Sequence, residues 1–299
     1  MKNRGYSLIH LTGLSIGLWA CMMVATVVID SLSYDRQWSR KDDIYRIVSV
    51  DKMGGGLSER HTSSPSYLAP ALQKMYAEVE SWSSVESYRP HFKIRPEDND
   101  GIETNMLTVD TMANKMLGIK LVAGSLERTT QNRWSLLVTR SYAARILPGQ
   151  NPIGRIIHEI PTLHSESTPY EITGLIEDLP YNSHLRTDVI RLKRTKVEPL
   201  TNNGIIMFEQ NYLLLKPGTD VKAFTRKVNT WYARFTKTDQ RQFEFQPLKD
   251  IYLRSDFAEG QNVRASIRTI YIFAGVALLL SSSPASILSI SVRPKHLYG

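Results

Sequence analysis

Apolar residues are unevenly spread along this chain. Leu8 to Ile29 (LIHLTGLSIGLWACMMVATVVI) contains no charged side chain. As a helix rising ~1.5 Å per residue it is about 33 Å long, enough to cross a hydrocarbon core of roughly 30 Å. A second uncharged stretch, Ile270 to Val292, lies near the other end. The pattern divides the chain into residues 1–30, an N-terminal end with a first transmembrane helix; residues 31–266, a domain outside the cytoplasm; and residues 267–299, an incomplete or atypical second helix with a tail.

Between the helices the periodicity shortens to that of a mixed α+β domain. Ile44 to Asp51 (IYRIVSVD) is rich in β-branched residues and runs into the turn signal Gly54-Gly55-Gly56. Further strands are expected at Ser135–Val138, Tyr170–Ile176, Tyr212–Leu215 and Phe243–Phe245. Ser64-Pro65 has the form of a helix start, with Leu68, Leu72, Met75 and Val79 on one face. A second helix is expected from Thr219 or Asp220, with Val221, Phe224, Val228, Trp231 and Phe235 spaced three or four apart. These alternating helices and strands suggest layers, with room for two small subdomains, and the stripes are core contacts.

Charge changes the picture at the ends. Lys2 and Arg4 precede the first apolar run, Arg293 and Lys295 follow the second, and neither flank holds an acid. Short basic flanks stay cytoplasmic, so both termini are expected inside and residues 31–266 in the periplasm. A cleaved signal peptide would have a shorter apolar run ending at a small-residue site, and Ser31-Leu32-Ser33 is a poor one. The net charge of +8 does not point to nucleic acid: four of the 37 basic residues are those flanks, so 33 face 29 acids, and no basic cluster interleaves with aromatics. The single Cys21 sits in the first apolar run and excludes an intrachain disulfide.

Candidate chemistry is sparse. Gly13-Leu14-Ser15-Ile16-Gly17 matches the G-x-S-x-G elbow of serine hydrolases, but that elbow joins a strand to a helix and this one lies inside an apolar helix. The same residues match G-x-x-x-G, so Gly13 and Gly17 are read as a helix-packing face that Cys21 continues. His10, Thr12 and Ser15 are polar groups within the run, which implies packing against further helices. No P-loop is present. His158, Glu159, His164 and Glu166 are close in sequence, but Pro161 breaks the helix that would align them, and they are read as a solvated loop. Glu97, Asp98 and Asp100 likewise read as a solvated loop. No catalytic, cofactor-binding or metal site is expected.

Several short motifs are familiar as a set. Asn3, Gly5 and Leu8 to Gly17, then Leu32-Ser33-Tyr34-Asp35 and Ile44-Tyr45-Arg46, resemble the start of MacB/FtsX-type ABC transporter permeases, especially the long permeases of Bacteroidetes-like bacteria. Ala69-Pro70-Ala71-Leu72, Val138-Thr139-Arg140-Ser141, Asn151-Pro152-Ile153-Gly154, Ile172-Thr173-Gly174, Asp178-Leu179-Pro180 with Asn182-Ser183-His184-Leu185, Asp250-Ile251-Tyr252-Leu253 and Tyr271-Ile272-Phe273 are similar to that family's periplasmic core domain and second helix. The resemblance implies a two-pass inner-membrane permease part with a MacB-like periplasmic core, without enzymatic activity of its own. It implies a cytoplasmic ABC ATPase subunit, a second permease half or homodimer, and membrane lipids as partners.

His10 stands where the family usually has asparagine. Ser281-Ser282-Ser283-Pro284 interrupts the second helix, and the resemblance ends near Leu280, so the chain reads as a truncated product or fragment not expected to transport by itself. An anchored extracytoplasmic sensor shares the layout and is the competing reading; a tethered hydrolase would need a nucleophile and base. If Gly13 and Gly17 form a packing face, Gly13→Ile or Gly17→Ile weakens helix association in a membrane reporter assay, and unchanged association removes that role.

Overall fold

The computed structural model describes residues 4–38, 40–53, 57–95, 97–98, 100–110, 113, 116, 118–161, 167–194, 200, 208–255, 266, 268–273 and 275, and in 4–10 only the backbone. The triple glycine at 54–56, His164, Glu166 and most of the Ile270–Val292 stretch lie outside the described residues; Arg268–Phe273 is helical.

Helix α1 (Arg4–Ser33) opens the chain. From Leu11 to Ser33 it is long and apolar enough to cross a membrane, and the described residues bury none of its most apolar stretch. Leu11, Ile16, Trp19 and Ile29 are each more than 60% exposed, a surface that lipid would cover but water would not. Its hydroxyls are satisfied internally: Ser15 Oγ donates to Leu11 O at 2.8 Å and Thr26 Oγ1 to Met22 O at 2.9 Å. Ser15 therefore sits mid-helix and not on a strand-to-helix elbow.

After α1 come β1 (Ile44–Lys52), β2 (Ser58–His61), β3 (Ser64–Pro65), α2 (Leu68–Met75), β4 (Val79–Tyr88), β5 (His91–Lys93), β6 (Ile102–Glu103), β7 (Met106–Asp110), β8 (Leu121–Gly124), α3 (Leu126–Gln131), β9 (Ser135–Thr139) and α4 (Arg140–Ile146). The second half holds β10 (Ile156–Glu159), β11 (Thr168–Ile176), β12 (Val189–Lys193), β13 (Phe208–Leu215), α5 (Val221–Thr236), β14 (Arg241–Pro247), and a 3-10 turn at Leu248–Asp250 that leads into α6 (Ile251–Arg254).

The strands form one sheet in the order β14-β1-β13-β4-β7-β12-β9-β11-β10-β5-β6, with β2, β3 and β8 added beside β1, β13 and β11. Pairing is antiparallel except for β12 beside β7 and β9 beside β11. Alternation buries both faces. On β13, Tyr212 and Leu214 enter one core with Ile44, Val109, Leu137 and Ile251, while Leu213 enters another with Leu72, Phe224, Val228 and Phe243 under α2 and α5. Farther along, Leu136, Val138, Ile157 and Ile172 pack with Tyr142 and Ile146 of α4. The two-subdomain expectation survives only as this division of the core, because the sheet runs unbroken across it, with Val85 of β4 opposite Val109 of β7.

Helix α5 starts where its pattern predicts: Asp220 Oδ1 accepts the Ala223 N–H at 3.0 Å. Its buried face is Phe224, Val228 and Tyr232, with Trp231 and Phe235 half-buried at its side. Helix α2 does not start at Ser64. Ser64-Pro65 is the strand β3, paired with Phe208 and Glu209, and the Ser64 hydroxyl accepts from Asn211 Nδ2 at 3.1 Å rather than capping a helix. The helix begins four residues later without a side-chain cap. Val79 belongs to β4, and Met75 is exposed. His158 and Glu159 are part of β10, not of a loop. Asp98 in the acidic loop accepts the Arg95 N–H at 3.0 Å.

Gly124 closes β8 at φ +95°, and a Cβ there would stand 2.3 Å from the Thr173 carbonyl oxygen of β11. Both the left-handed backbone and the close approach require glycine. Gly124→Ala should lower unfolding free energy by about 2–4 kcal/mol. Urea denaturation in neutral detergent reads this directly, and an unchanged midpoint would disprove the close approach.

Candidate functional site

The structure concentrates its buried polar chemistry where α1 ends. Helix α1 stops at Ser33, and Asp35 then takes the left-handed conformation, φ +56°, which terminates a helix and which Asp tolerates better than most residues. The turn drives the Asp35 side chain into the domain, where it is fully buried. A buried carboxylate is costly unless donors surround it. Here Oδ1 accepts from Ser183 Oγ at 2.6 Å, the His184 N–H at 3.2 Å and Trp38 Nε1 at 3.4 Å, and Oδ2 pairs with His184 Nδ1 at 2.8 Å.

From Asp35 the contacts pass across the sheet. His184 Nε2 bonds the Tyr212 hydroxyl of β13 at 2.9 Å. Tyr212 stands opposite Arg46 of β1 in register and shares a hydrogen bond with it. Arg46, also fully buried, donates through Nη2 to Gln246 Oε1 of β14 at 2.6 Å and to Ser255 Oγ, just after α6, at 3.1 Å. The network thus spans the exit of α1, the loop 177–188, three adjacent strands and the segment beyond α6.

Burial pushes the Asp35 carboxyl up, but the His184 charge and the hydrogen bonds from His184, Ser183 and Trp38 outweigh it and hold the group below the usual carboxylate range. Burial lowers the Arg46 guanidinium, with Tyr212 and Asp35 opposing. Burial likewise pushes the Tyr212 hydroxyl up to about 12. A carboxylate and a guanidinium therefore both sit in the core, joined through the His184 imidazole and the Tyr212 hydroxyl.

Backbone and aromatic contacts reinforce this root. Asp35 N donates to Asn182 O at 2.9 Å, Asn182 Nδ2 donates to Ser33 Oγ at 2.9 Å, and the Tyr181 hydroxyl reaches Asp30 Oδ1 at 3.2 Å. On the other side Tyr34 lies flat on Tyr252 of α6, with centroids 3.5 Å apart and planes within 6°. Helix α1 is held from two sides.

Ser183, His184 and Asp35 have the residue types of a hydrolase triad but not its geometry. A triad needs the imidazole bonded to the serine; here Ser183 donates to Asp35, His184 Nε2 is occupied by Tyr212, and the serine is fully buried. The arrangement can hold a joint and cannot deprotonate a nucleophile. Gly13 and Gly17 lie on α1 away from this network, and the space over Gly13 is open.

A family model described as the MacB-like periplasmic core domain matches residues 7–231, more than half of the chain. The chain belongs to that family. Among solved structures, a domain of a protein described as a permease, from Porphyromonas gingivalis, matches at 18% identity with a TM-score of 0.56, over 80% of this chain and 99% of that one. The periplasmic region of MacB from Actinobacillus actinomycetemcomitans matches at 11% identity, TM-score 0.44, over 68% and 90%. The extracellular domain of the noncanonic ABC-type transporter YknZ from Gram-positive bacteria matches at 10% identity, TM-score 0.47, over 67% and 98%. No curated protein matches the chain significantly.

The resemblance read from the short motifs is therefore correct as to family. The protein is a MacB-like periplasmic domain of the ABC-transporter permease family, behind an N-terminal helix suited to crossing a membrane. That family is not a catalytic one. Four of the familiar motifs, 32–35, 44–46, 182–185 and 250–253, supply the root of α1: Asp35, Arg46, Ser183, His184 and Tyr252 all come from them. Residue-by-residue reading missed the site itself. The available signal was that each motif carries a charged, imidazole or aromatic residue beside apolar positions.

Asn tolerates the same backbone conformation as Asp, so Asp35→Asn keeps the shape while removing the charge and one acceptor oxygen. It should cost about 3–5 kcal/mol, as breaking a buried pair does. The wild-type contribution is complete above the ordinary carboxylate value of about 4 and is lost as pH falls through the lower folded-state value. The gap between wild type and Asp35→Asn in urea midpoint should therefore close on acidification below about pH 4. A gap independent of pH would mean that the carboxylate charge contributes nothing.

Proposed function

We propose that this chain is part of the permease subunit of a MacB/FtsX-type ABC transporter, coupling ATP hydrolysis in a separate cytoplasmic subunit to movement of its periplasmic domain. In this reading both termini are cytoplasmic, residues 31–266 are periplasmic, residues 267–299 contribute the second helix, and Gly13 and Gly17 pack α1 against another helix of the permease. A second permease half or a second copy completes the assembly.

The observation that carries the proposal is the joint. A helix that only anchors a domain needs no more than a linker, whereas one that drives a domain must pass force without its root giving way. Exposed ion pairs contribute about 0–1 kcal/mol each and yield readily. The root of α1 has a buried carboxylate with four donors, a flat aromatic stack and three hydrogen bonds from Tyr181 and Asn182. Rigid-body transmission is what such a joint supports.

Affinity purification of the intact protein from its native membrane in mild detergent should recover an ATP-binding subunit. Clean purification without one, across several detergents, would overturn the proposal. Recovery of a kinase instead would favour the sensor.

A further inference from the structure

Beside the root of α1 the loop 177–188 forms one wall of a cleft of about 430 Å³, within the roughly 300–1,000 Å³ of small-ligand sites. Three guanidinium groups line it, Arg89 after β4, Arg145 on α4 and Arg186 on the loop, against two carboxylates, Glu103 and Asp188. The acids are spoken for. Asp188 Oδ2 accepts the Asn105 N–H and Nδ2 at 2.8 and 2.9 Å, its Oδ1 stands 3.6 Å from Arg145, and Glu103 stands 3.6 Å from Arg89. The Arg145 guanidinium also lies 5.1 Å over the Tyr142 ring, which orients it. Arg186 is exposed at the mouth. The cleft is therefore one positive charge in excess, with guanidinium donors to spare.

Its height above the membrane follows from α1. The apolar run ends at Ile29, and Asp30 is the first charge. Tyr34 lies four residues on, about 6 Å further along the axis at ~1.5 Å per residue, while each headgroup layer is roughly 5–7 Å thick. Tyr181, which lines the cleft, reaches down to Asp30 and is itself 66% exposed, as an interfacial tyrosine is. Arg186 lines the same cleft as Tyr181, on the same loop.

We propose that this cleft binds the phosphate of an anionic phospholipid headgroup from the outer leaflet, with Arg145 and Arg186 as its donors and Tyr181 at the lipid boundary. The inference needs α1 to cross the membrane and does not need the chain to transport anything. Lipid held there touches the loop that carries Ser183 and His184, which places a membrane component against the joint.

Native mass spectrometry of the full chain in neutral detergent, with dihexanoyl phosphatidylglycerol, dihexanoyl phosphatidylcholine or glycerol 3-phosphate, tests it. The glycerol lipid should bind at least tenfold more tightly than the choline lipid or the soluble phosphate. Arg186→Gln and Arg145→Gln should each weaken it about tenfold, and Arg226→Gln on the outer face of α5 should not. Equal binding of the two lipids, or Arg186→Gln and Arg145→Gln proteins that bind like wild type, would overturn the site. Glycerol 3-phosphate binding as tightly as the lipid would overturn the lipid assignment in favour of a soluble phosphate. Co-purification of an ATP-binding subunit is independent of all these outcomes, so failure here and failure of the transporter reading are separable.

Discussion

A carboxylate with no access to water governs how this molecule is joined. Asp35 is two residues past the end of a helix whose apolar stretch the described residues leave uncovered, and it is buried among donors that include two residues nearly 150 positions away. Desolvating an isolated carboxylate costs far more than a domain's net stability of about 5–15 kcal/mol. The sheet can form around Asp35 only if Ser183, His184 and Trp38 are already in place. The packing of the domain and the fixing of the helix are therefore coupled through the donors of Asp35.

The rest of the architecture serves that constraint. Strand β13 carries Tyr212 on the same face as Leu214, so the partner of His184 Nε2 is built into the apolar core and does not protrude from it. Strand β1 sets Arg46 opposite Tyr212, and β14 supplies Gln246 in register with Arg46. Three adjacent strands each contribute one polar side chain to a line that crosses the sheet. Because β1 is the first strand after α1, the chain that leaves the membrane is at once the strand that positions the far end of the network.

Local structure was legible where one residue pattern had one physical meaning. The strand at 44–51 announced itself by a β-branched run, those at 135–138 and 170–176 by short apolar runs between turn signals, and α5 by an apolar stripe behind the cap at Asp220. Ser64-Pro65 failed because a serine hydroxyl can cap a helix or bind a neighbouring strand, and only the placement of Asn211 decides between them. Short strands such as β5, β6 and β8 have too few residues to show a period. The root of α1 was invisible to spacing rules for a different reason. Asp35 and His184 satisfy each other, with Arg46 tied in through Tyr212, and a residue whose partner is nearly 150 positions away carries no mark of it in its own neighbourhood. Motif resemblance picked out all three segments without saying that they meet.

The uneven cover of α1 gives the joint its meaning. Along the apolar part of α1 the described residues leave the helix uncovered, a surface suited to lipid or to other helices. At its root it is held by side chains from the loop and from α6, and at the same level sits a basic cleft. A rod loosely held in its middle and rigidly fixed at one end moves as a lever about that end's attachment. In the proposed transporter reading, displacing α1 within the bilayer would carry the sheet with it, because bending at residues 34 and 35 would break the stack on Tyr252 and strip donors from a buried carboxylate, at a cost of several kcal/mol. Tilting the whole domain over the membrane surface breaks neither. The mechanically cheap motion is the rigid one, and that follows from where the protein buried its charge.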